Sequence, residues 1–344
     1  MEATMNRKIY LPIFILLTLF SCDKSKNNNS QQENNELIKV SEIRVRDPFI
    51  LADEQSKTYY LYASISNRTD DEGQGVEVYT SKDLQNWTKP EVVFQVPQDF
   101  WATKWVWAPE VHSYKDKYYL FTTFTSHDTL KHSPADISEK DWPPFHQRGT
   151  QILVSDAPTG PFEPFSNNPH INIDWMTLDG TFWTEDSQPY LIYCHEWVQV
   201  EDGTVDLIAL QDDLSAVKGR HRVLFKASEA QWTRPIRQET GYVTDGCFLY
   251  RSKTDKLLMI WSSFGEDGYA IGTAFSESGG IKGPWQHNSE RLFIKDGGHG
   301  MIFKTFEGQL ALSLHQPNRS PDERMQLYQI KDTGESLELA GRLF

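Results

Sequence analysis

Apolar and aromatic positions in this chain fall in short runs separated by Gly, Asp and Ser. Runs of this kind predict β-strands joined by turns. The runs form units with one order: a polar residue, a first strand, a turn, a second strand, then a third and a fourth strand. Five units follow one another, and their leading segments are Asp47-Pro48-Phe49-Ile50, Ala108-Pro109-Glu110-Val111, Asp179-Gly180-Thr181-Phe182, Asp245-Gly246-Cys247-Phe248 and His299-Gly300-Met301-Ile302.

Repetition of a four-stranded unit predicts a β-propeller, in which each unit forms one blade. The leading polar residues fall at positions 47, 110, 179, 245 and 299, so each interval has room for one blade and its loops. We therefore predict an all-β fold, a single five-bladed β-propeller. A β-sandwich or two separate β domains would not explain the recurring leading residue. The fifth unit is short of a strand before Phe344, and Leu37-Ile38-Lys39-Val40 is predicted to supply it and close the ring.

The first strand of each propeller blade lines the central channel, so the leading residues are predicted to converge on the axis. They are Asp47, Glu110, Asp179, Asp245 and His299. Clustered carboxylates raise one another's pKa and are costly unless they share protons, bind a cation or meet a polar ligand. Glycoside hydrolysis uses such a cluster: it needs a protonated acid and an ionised partner, about 6.5–9.5 Å apart when the sugar is inverted.

The N-terminal region differs from the rest of the chain. Arg7 and Lys8 precede an apolar run, and Leu19-Phe20-Ser21-Cys22 resembles the lipobox of a bacterial lipoprotein. We predict a lipoprotein signal peptide at 1–21, a flexible tether at 22–36 and the propeller domain at 37–344. The expected location is the bacterial cell envelope, lipid-anchored through Cys22, at the periplasmic or outer-membrane surface. An ordinary signal peptide or a single anchor helix is the alternative.

Charge and composition narrow the choice of partners. The 344 residues include 34 basic and 48 acidic ones, a formal net charge of −14, which disfavours nucleic acids and polyanionic substrates. Aromatic residues make up 13% of the chain and favour strands and flat platforms for a neutral oligo- or polysaccharide. We expect a monomer that contacts a membrane only through the lipid. Cys194 and Cys247 lie in apolar runs and are predicted to be buried free thiols, with a disulfide as the alternative.

Taken together, the leading segments resemble glycoside hydrolase family 43, five-bladed propellers that include arabinanases, arabinofuranosidases and xylosidases. The segments that carry the resemblance are Arg46-Asp47-Pro48-Phe49-Ile50, Trp107-Ala108-Pro109-Glu110-Val111, Asp179-Gly180-Thr181-Phe182, Asp245-Gly246 and Gly298-His299-Gly300. The resemblance runs from about residue 44 to the end of the chain. It implies that Asp47 is the general base that activates water, and that Asp179 orients the acid and raises its pKa. It implies no required cofactor.

The general acid is where this chain departs from the family. The family has a Glu followed by Gly-Pro, whereas this chain has Asp245-Gly246-Cys247. Aspartate is shorter, which withdraws the proton by about 1.5 Å, and misplacement on that scale strongly affects rate. Either the pocket is reshaped around Asp245, another acid serves, or catalysis is impaired. Glu196 is the alternative acid, ahead of Glu239; solvated carboxylates for both, and a structural Asp-Gly turn at Asp245, are the simpler interpretations.

Other residues are predicted to bind substrate or metal. The resemblance implies that His299 points into the channel and helps to hold a calcium ion or its waters, although oxygen ligands dominate calcium shells. Trp105 and Trp107 are predicted to stack on a sugar face, with packing between blades as the alternative. The predicted substrate contacts are Arg46, Trp105, Trp107, Glu110, His299 and His315.

These residues predict an inverting glycoside hydrolase that acts on plant-type glycans. An α-L-arabinofuranosidase is favoured, followed by a β-xylosidase and a galactofuranosidase or galactanase. The alternative is a catalytically impaired, glycan-binding surface lipoprotein, for which the shorter acid at Asp245 would be the cause. A transferase or phosphorylase is less favoured, because no basic phosphate cluster lies near the leading segments.

Overall fold

The computed structural model describes residues 37–68, 73–130, 142–237 and 239–344. The predicted signal peptide and tether lie outside these residues. Five antiparallel sheets follow one another along the chain, and each is one blade of a β-propeller. The predicted five-bladed fold is therefore confirmed, with residues 35–344 as one compact unit. None of the helices within the described ranges has the length and apolar character needed to cross a bilayer.

The blades are built from consecutive strands. The strands of blade 1 are β1 (Ile38–Lys39), β2 (Phe49–Asp53), β3 (Thr58–Ser64), β4 (Gly75–Ser81), β5 (Asn86–Trp87) and β6 (Glu91–Gln95). Blade 2 has β7 (Trp105–Tyr114), β8 (Lys117–Thr129), β9 (His146–Ser155) and β10 (Glu163–Pro164). Blade 3 has β11 (Thr177–Glu185), β12 (Gln188–His195), β13 (Thr204–Leu210) and β14 (Val217–Lys226). Blade 4 has β15 (Asp245–Arg251), β16 (Leu257–Gly265), β17 (Gly268–Ser276) and β18 (Trp285–His287), and blade 5 has β19 (Gly298–Lys304), β20 (Leu310–Gln316), β21 (Arg324–Asp332) and β22 (Leu337–Arg342).

Helices in the described residues are short and lie between strands. They are the 3₁₀ helices Val40–Glu42, Ile65–Asn67 and Ala227–Glu229, and the α-helix α1 (Trp197–Val200).

The first strands of the blades form the inner ring. Contacts run from β2 to β7, then to β11, β15 and β19, and from β19 back to β2. Each second strand lies inside its blade, between the first and third strands, and is covered on both faces of the sheet, which is why every residue of Thr58–Ser64 is buried. This explains the continuous apolar runs in the sequence, because a strand buried on both faces loses its alternation of polar and apolar residues.

Hydrophobic clusters fill the spaces between neighbouring blades. Between blades 3 and 4, Trp261 packs on Phe225 and Trp232 with ring centroids 5.2 and 5.1 Å apart. Full burial of one large apolar side chain stabilises a fold by about 1.5–3 kcal/mol. Cys194 and Cys247 belong to the same cluster and are buried free thiols, as predicted.

The prediction about ring closure is wrong. β1 does not join blade 5; Ile38 pairs with Trp87 at the outer side of blade 1. Blade 5 has its own fourth strand, β22, which pairs with β21. Five of the six residues in β22 are exposed, so this outer strand has no apolar run that would reveal it in the sequence. Blades 1 and 5 are joined by bonds such as Ser313 Oγ to the Pro48 carbonyl, 2.9 Å.

Candidate active site

The same backbone irregularity marks the start of the first strands. In β7, β11, β15 and β19 the register with the second strand shifts across two residues, which is a β-bulge. The first residue of each bulge, and the matching residue before β2, has a left-handed backbone. These ring residues are Asp47 (φ 55°), Ala108 (φ 46°), Asp179 (φ 52°), Gly246 (φ 52°) and His299 (φ 49°). Bulges re-aim side chains at such positions, at a cost of about 1–2 kcal/mol for a left-handed non-glycine residue.

The bulges correct the predicted ring at two positions. In blade 2 the ring residue is Ala108, and Glu110 lies two residues further along, opposite Phe121 in the ladder. Glu110 Oε2 is bound to His112 Nε2 at 2.9 Å, and Glu110 does not line the central cavity. The prediction that Glu110 stands in the ring is therefore wrong, and the structure gives no support for a substrate contact. In blade 4 the ring residue is Gly246, so Asp245 precedes the ring position.

A cavity of about 540 Å³ is located at these bulges. Its volume is within the range of small-molecule sites, about 300–1,000 Å³. The predicted site residues that line it are Arg46, Asp47, Trp105, Trp107, Asp179, Glu196, Asp245 and His299. Glu110, Glu239 and His315 do not line it. The cavity therefore brings together most of the predicted site from all five blades and the loops beside them.

Asp47 is held as an anion by basic neighbours. Its Oδ1 lies 3.2 Å from His299 Nδ1, 3.2 Å from His315 Nδ1 and 3.8 Å from Arg46 Nε. Burial alone would raise the pKa of Asp47. The charge of His299, the bond to His315 and the charge of Arg46 outweigh burial and hold this pKa well below 3.8. An ionised carboxylate is the form that a general base requires.

Asp245 has the opposite environment. Its Oδ2 accepts a hydrogen bond from the Tyr269 hydroxyl at 2.9 Å. Burial raises the pKa of Asp245 to about 6, against the lowering effects of His299 and Tyr269. A large share of Asp245 is therefore protonated in mildly acidic solution. Two carboxyl groups in one cavity whose pKa values are driven apart are typical of an acid and base pair.

Asp179 links blade 3 to the backbone that carries the acid. Its Oδ2 accepts the N–H of Gly246 at 3.1 Å, and its own N–H donates to Thr123 Oγ1 at 2.9 Å. Burial, followed by the charges of Asp245 and Asp47, raises the pKa of Asp179 well above 3.8. Because Gly246 follows Asp245 directly, this bond fixes the point from which the Asp245 side chain extends.

The two histidines have different positions. The backbone N–H of His299 donates to Ser262 Oγ at 2.8 Å, and its ring lies against Gly246, where an added Cβ would stand 2.7 Å from ring carbons. His315 is fully buried, with 0% exposure. It reaches Asp47 from behind and is not placed to contact a substrate, contrary to the prediction.

Calcium binding is not supported by the side chains around His299. Across the described ranges, no group of three or more His, Cys, Asp and Glu side chains is arranged to hold a metal ion. His299 Nδ1 faces the carboxylates of Asp47 at 3.2 Å and Asp179 at 3.7 Å. We therefore assign no metal ligand, and a calcium ion held through water at His299 stays a prediction.

An aromatic wall lines another side of the cavity. Trp105 and Trp107 stack with ring centroids 5.5 Å apart and planes 14° from parallel. The Arg148 guanidinium lies 4.1 Å from the Trp107 ring centroid. A third tryptophan near them, Trp101, packs on Phe124 instead. Lys104 Nζ lies 4.1 Å from the Trp105 ring centroid, so the indole faces are covered in part by cations and by each other. The apolar surface that remains beside the polar cavity is suited to a sugar.

Glu196 lines the cavity but is poorly suited to be the acid. Its Oε2 forms an ion pair with Arg148 Nη1, and the Arg148 side chain is only 5% exposed. Such a partner stabilises a carboxylate that accepts hydrogen bonds rather than a carboxyl group that donates a proton. Between the two predicted acids, the geometry therefore favours Asp245.

Sequence analysis missed several residues of the site. Tyr269 comes from the third strand of blade 4, and Glu323 from the loop before β21. Glu323 Oε1 lies 3.4 Å from Arg46 Nη1, and its Oε2 lies 3.6 Å from Arg44 Nε. The repeated pattern marks first strands only, so it contains no signal for partners that arrive from other strands or loops.

A five-bladed propeller with an ionised Asp47 and a protonatable Asp245 in one cavity has the features of a glycoside hydrolase with two catalytic carboxyl groups. The family model described as glycosyl hydrolases family 43 matches residues 39–333. The chain belongs to this family and is a glycoside hydrolase. A comparison with curated protein sequences gave no match.

Solved structures share the fold over most of the chain. An endo-arabinase from Bacteroides thetaiotaomicron VPI-5482 is 40% identical, with a TM-score of 0.74, and the match covers 86% of this chain and 96% of that protein. An endo-1,4-beta-xylanase from the same organism is 20% identical, with a TM-score of 0.68 and coverage of 89% and 97%. An alpha-L-arabinofuranosidase from Lactobacillus brevis is 17% identical, with a TM-score of 0.66 and coverage of 84% and 90%.

Proposed function

We propose that this enzyme cleaves α-L-arabinofuranosyl linkages within an arabinan-type polysaccharide, with inversion at the anomeric carbon. The observation that carries the proposal is a pair of carboxyl groups with different partners in one cavity: Asp47 Oδ1 lies 3.2 Å from His299 and from His315, whereas Asp245 Oδ2 accepts a hydrogen bond from the neutral hydroxyl of Tyr269. The sugar and the internal mode of cleavage are suggested by the similarity to an endo-arabinase at 40% identity. The xylanase and the arabinofuranosidase are too distant in sequence to bear on the substrate.

The proposed reaction is a single displacement. A water molecule gives a proton to Asp47 while its oxygen bonds to the anomeric carbon. The bond from that carbon to the glycosidic oxygen breaks, and Asp245 gives its proton to the leaving oxygen. Water enters and the leaving group departs on opposite faces of the sugar, so the configuration at the carbon inverts.

The remaining residues position the two carboxyl groups and bind the sugar. Asp179 fixes the backbone beside Asp245 through its 3.1 Å bond to the Gly246 N–H. Trp105 and Trp107 line the cavity and provide apolar surface for sugar rings. Arg46 lies beside Asp47 and is 37% exposed, so it has donors available for sugar hydroxyls.

We propose a location at the bacterial cell envelope, with the propeller attached through lipid on Cys22. The support is the sequence pattern of residues 1–22 alone, which lies outside the described residues. Such a location would suit an enzyme that meets an extracellular polysaccharide.

The substrate is tested with a panel of linear arabinan, branched arabinan, xylan and galactan. We expect release of short arabino-oligosaccharides from linear arabinan by the wild type. Asp47→Asn should lower kcat by about 10²–10⁴-fold, because proton removal from water is then lost. Asp99→Asn, at an exposed position away from the cavity, is the matched control and should behave as wild type.

Two outcomes would contradict this assignment. Equal turnover by Asp47→Asn and wild type would remove Asp47 as the base. Faster release from xylan or galactan than from either arabinan would overturn the substrate.

A second candidate, a glycan-binding protein without catalysis, is favoured by one observation: an Asp stands where the family has a longer Glu. It predicts binding to arabinan with no product after long incubation, and binding unchanged in Asp245→Asn. Product release by the wild type would exclude it.

A further inference from the structure

Tyr269 occupies a closely fitted slot behind Asp245. It is the second residue of β17, and its side chain is fully enclosed, with 1% exposure. One side of the ring lies against Gly298, where an added Cβ would stand 2.4 Å from Tyr269 Cε1. The other side stacks on His315, with ring centroids 5.8 Å apart and planes 19° from parallel. The ring has no room to turn, so its hydroxyl is fixed at Asp245.

We propose that Tyr269 is the positioning residue of the short acid: it holds Asp245 Oδ2 as a hydrogen-bond acceptor, so that the transferable proton resides on Oδ1. This inference rests on the proposed function, in which Asp245 is the general acid. It names the residue that fixes the orientation of the Asp245 carboxyl group. The Tyr269 hydroxyl donates a hydrogen bond to Oδ2 at 2.9 Å, so Oδ1 is the oxygen that carries the proton.

The direction of this hydrogen bond follows from the environment of Tyr269. Burial, and then the charge of Asp245, raise the pKa of Tyr269 well above 10.0. The phenol therefore keeps its proton and donates it to the carboxyl group. A hydrogen bond to a charged acceptor favours the ionised form of that acceptor, so Tyr269 lowers the pKa of Asp245 and moderates the effect of burial.

The packing around Tyr269 also links Asp245, the acid, to Asp47, the base. His315, which stacks on Tyr269, has its Nδ1 3.2 Å from both the backbone N and Oδ1 of Asp47. Tyr269 lines the cavity and His315 lies behind it, so the two stacked rings link Asp245, through the Tyr269 hydroxyl, to Asp47, through His315 Nδ1.

Several charged groups affect the pKa of Asp245. The contribution of Tyr269 is therefore measured as the difference between the pH profiles of two variants. The titratable and charged groups around it are Tyr269, His299, Asp47, Arg46, Asp179 and the thiols of Cys194 and Cys247. Tyr269→Phe removes one hydroxyl and leaves all the others in place.

The test compares wild type and Tyr269→Phe by kcat and KM across pH on two substrates. One is an arabino-oligosaccharide, and the other is an aryl glycoside of the same arabino-oligosaccharide, whose leaving group needs no proton. In Tyr269→Phe we expect the alkaline limb of the pH profile of kcat to move up by about one pH unit, because the ionised form of Asp245 loses a hydrogen bond. One pH unit corresponds to a tenfold change in the protonation equilibrium. We also expect kcat to fall about tenfold or more on the oligosaccharide, and little on the aryl substrate, with KM unchanged.

Tyr250→Phe is the matched control. Its hydroxyl also donates to an aspartate, Asp332 Oδ2, at 3.0 Å, and it lies in the same blade but does not line the cavity. Its pH profile should match the wild type. For a variant that preserves the shape of the ring, 3-fluorotyrosine at position 269 should move the limb to lower pH, because its more acidic hydroxyl is a stronger donor.

The outcomes separate the two proposals. No turnover by the wild type contradicts the proposed function itself. An active wild type with a limb that moves in neither Tyr269→Phe nor the fluorotyrosine enzyme overturns the role of Tyr269. An equal loss on both substrates with an unmoved limb also overturns it, since that result would show a purely structural residue.

Discussion

Three aspartates in one cavity differ because of their neighbours, not their chemistry. All three are desolvated, which by itself raises a carboxyl pKa. His299 also lies 3.7 Å from Asp179 and lowers the pKa of Asp245, but Asp47 combines His299 with a bond to His315 and a close Arg46, and there the effect of burial is reversed. Asp245 accepts a hydrogen bond from a neutral hydroxyl, and Asp179 accepts one from a backbone N–H. Burial is therefore the larger effect at both, and it raises the pKa of each. The division between acid and base is therefore made by the short contacts of Asp47 with His315 and Arg46, at 3.2 and 3.8 Å, added to its contact with His299.

This division predicts the pH profile of the wild type. Because the acid must be protonated, kcat/KM should fall as the pH rises through about 6, the value to which burial raises the pKa of Asp245. No acidic limb is expected until the pH drops below 3.8, because the pKa of Asp47 is held under its ordinary value. Initial rates on an arabino-oligosaccharide in a constant-ionic-strength buffer series measure both limbs. A rate that rises from pH 5 to pH 8 would contradict the assignment of the acid.

At the residue scale, sequence analysis could predict the three aspartates because each belongs to a leading segment at blade spacing. It could not predict Tyr269, which reaches Asp245 from the third strand of blade 4. It also misplaced Glu110, because an alanine with a left-handed backbone at Ala108 gives no signal in a sequence. Because Glu110 is charged, the sequence pattern indicates it as the ring residue, although the bulge begins at Ala108.

The bulge is the element that makes the site. It recurs at four first strands, and a left-handed residue stands at the same place in all five blades. In blades 1, 3 and 5 that residue carries an ionisable side chain, whereas in blades 2 and 4 it is a small residue, Ala108 or Gly246. Gly246 has a specific reason to be glycine, since the His299 ring occupies the space of a Cβ.

Substitution of Gly246 tests this close approach. Gly246→Ala should lose about 1–2 kcal/mol of stability from its left-handed backbone, and kcat should fall about 10²-fold as the ring of His299 is displaced. Gly279→Ala is the matched control, with φ of 76° and nothing within 4 Å of the added Cβ. It should show a similar loss of stability with unchanged kcat. Urea unfolding and initial rates measure the two effects; equal kcat in both variants would contradict the role of the contact.

At the scale of the whole molecule, the five repeats were sufficient to predict the propeller, because second strands buried on both faces leave continuous apolar runs. The way in which the ring closes could not be predicted. β22 is exposed on most of its residues, so it resembles a loop in the sequence, and the apolar segment Leu37-Ile38-Lys39-Val40 is predicted in its place. In the structure, bonds between side chains and backbone, such as Ser313 to Pro48, join blades 5 and 1 beside the site.

The propeller brings together residues that are far apart in the sequence. Asp47 and Asp245 belong to blades 1 and 4, and the ring of first strands sets their separation. That separation is what distinguishes inversion from retention, because a water molecule must fit between the sugar and the base.

The most direct test of the central claim is the configuration of the first product. Proton NMR during the first turnovers on an α-linked arabino-oligosaccharide shows which anomer is released before mutarotation mixes them. Activation of water by Asp47 predicts that the β-anomer of the new reducing end appears first. Initial release of the α-anomer would show retention, and would contradict the assignment of Asp47 as a base acting through water.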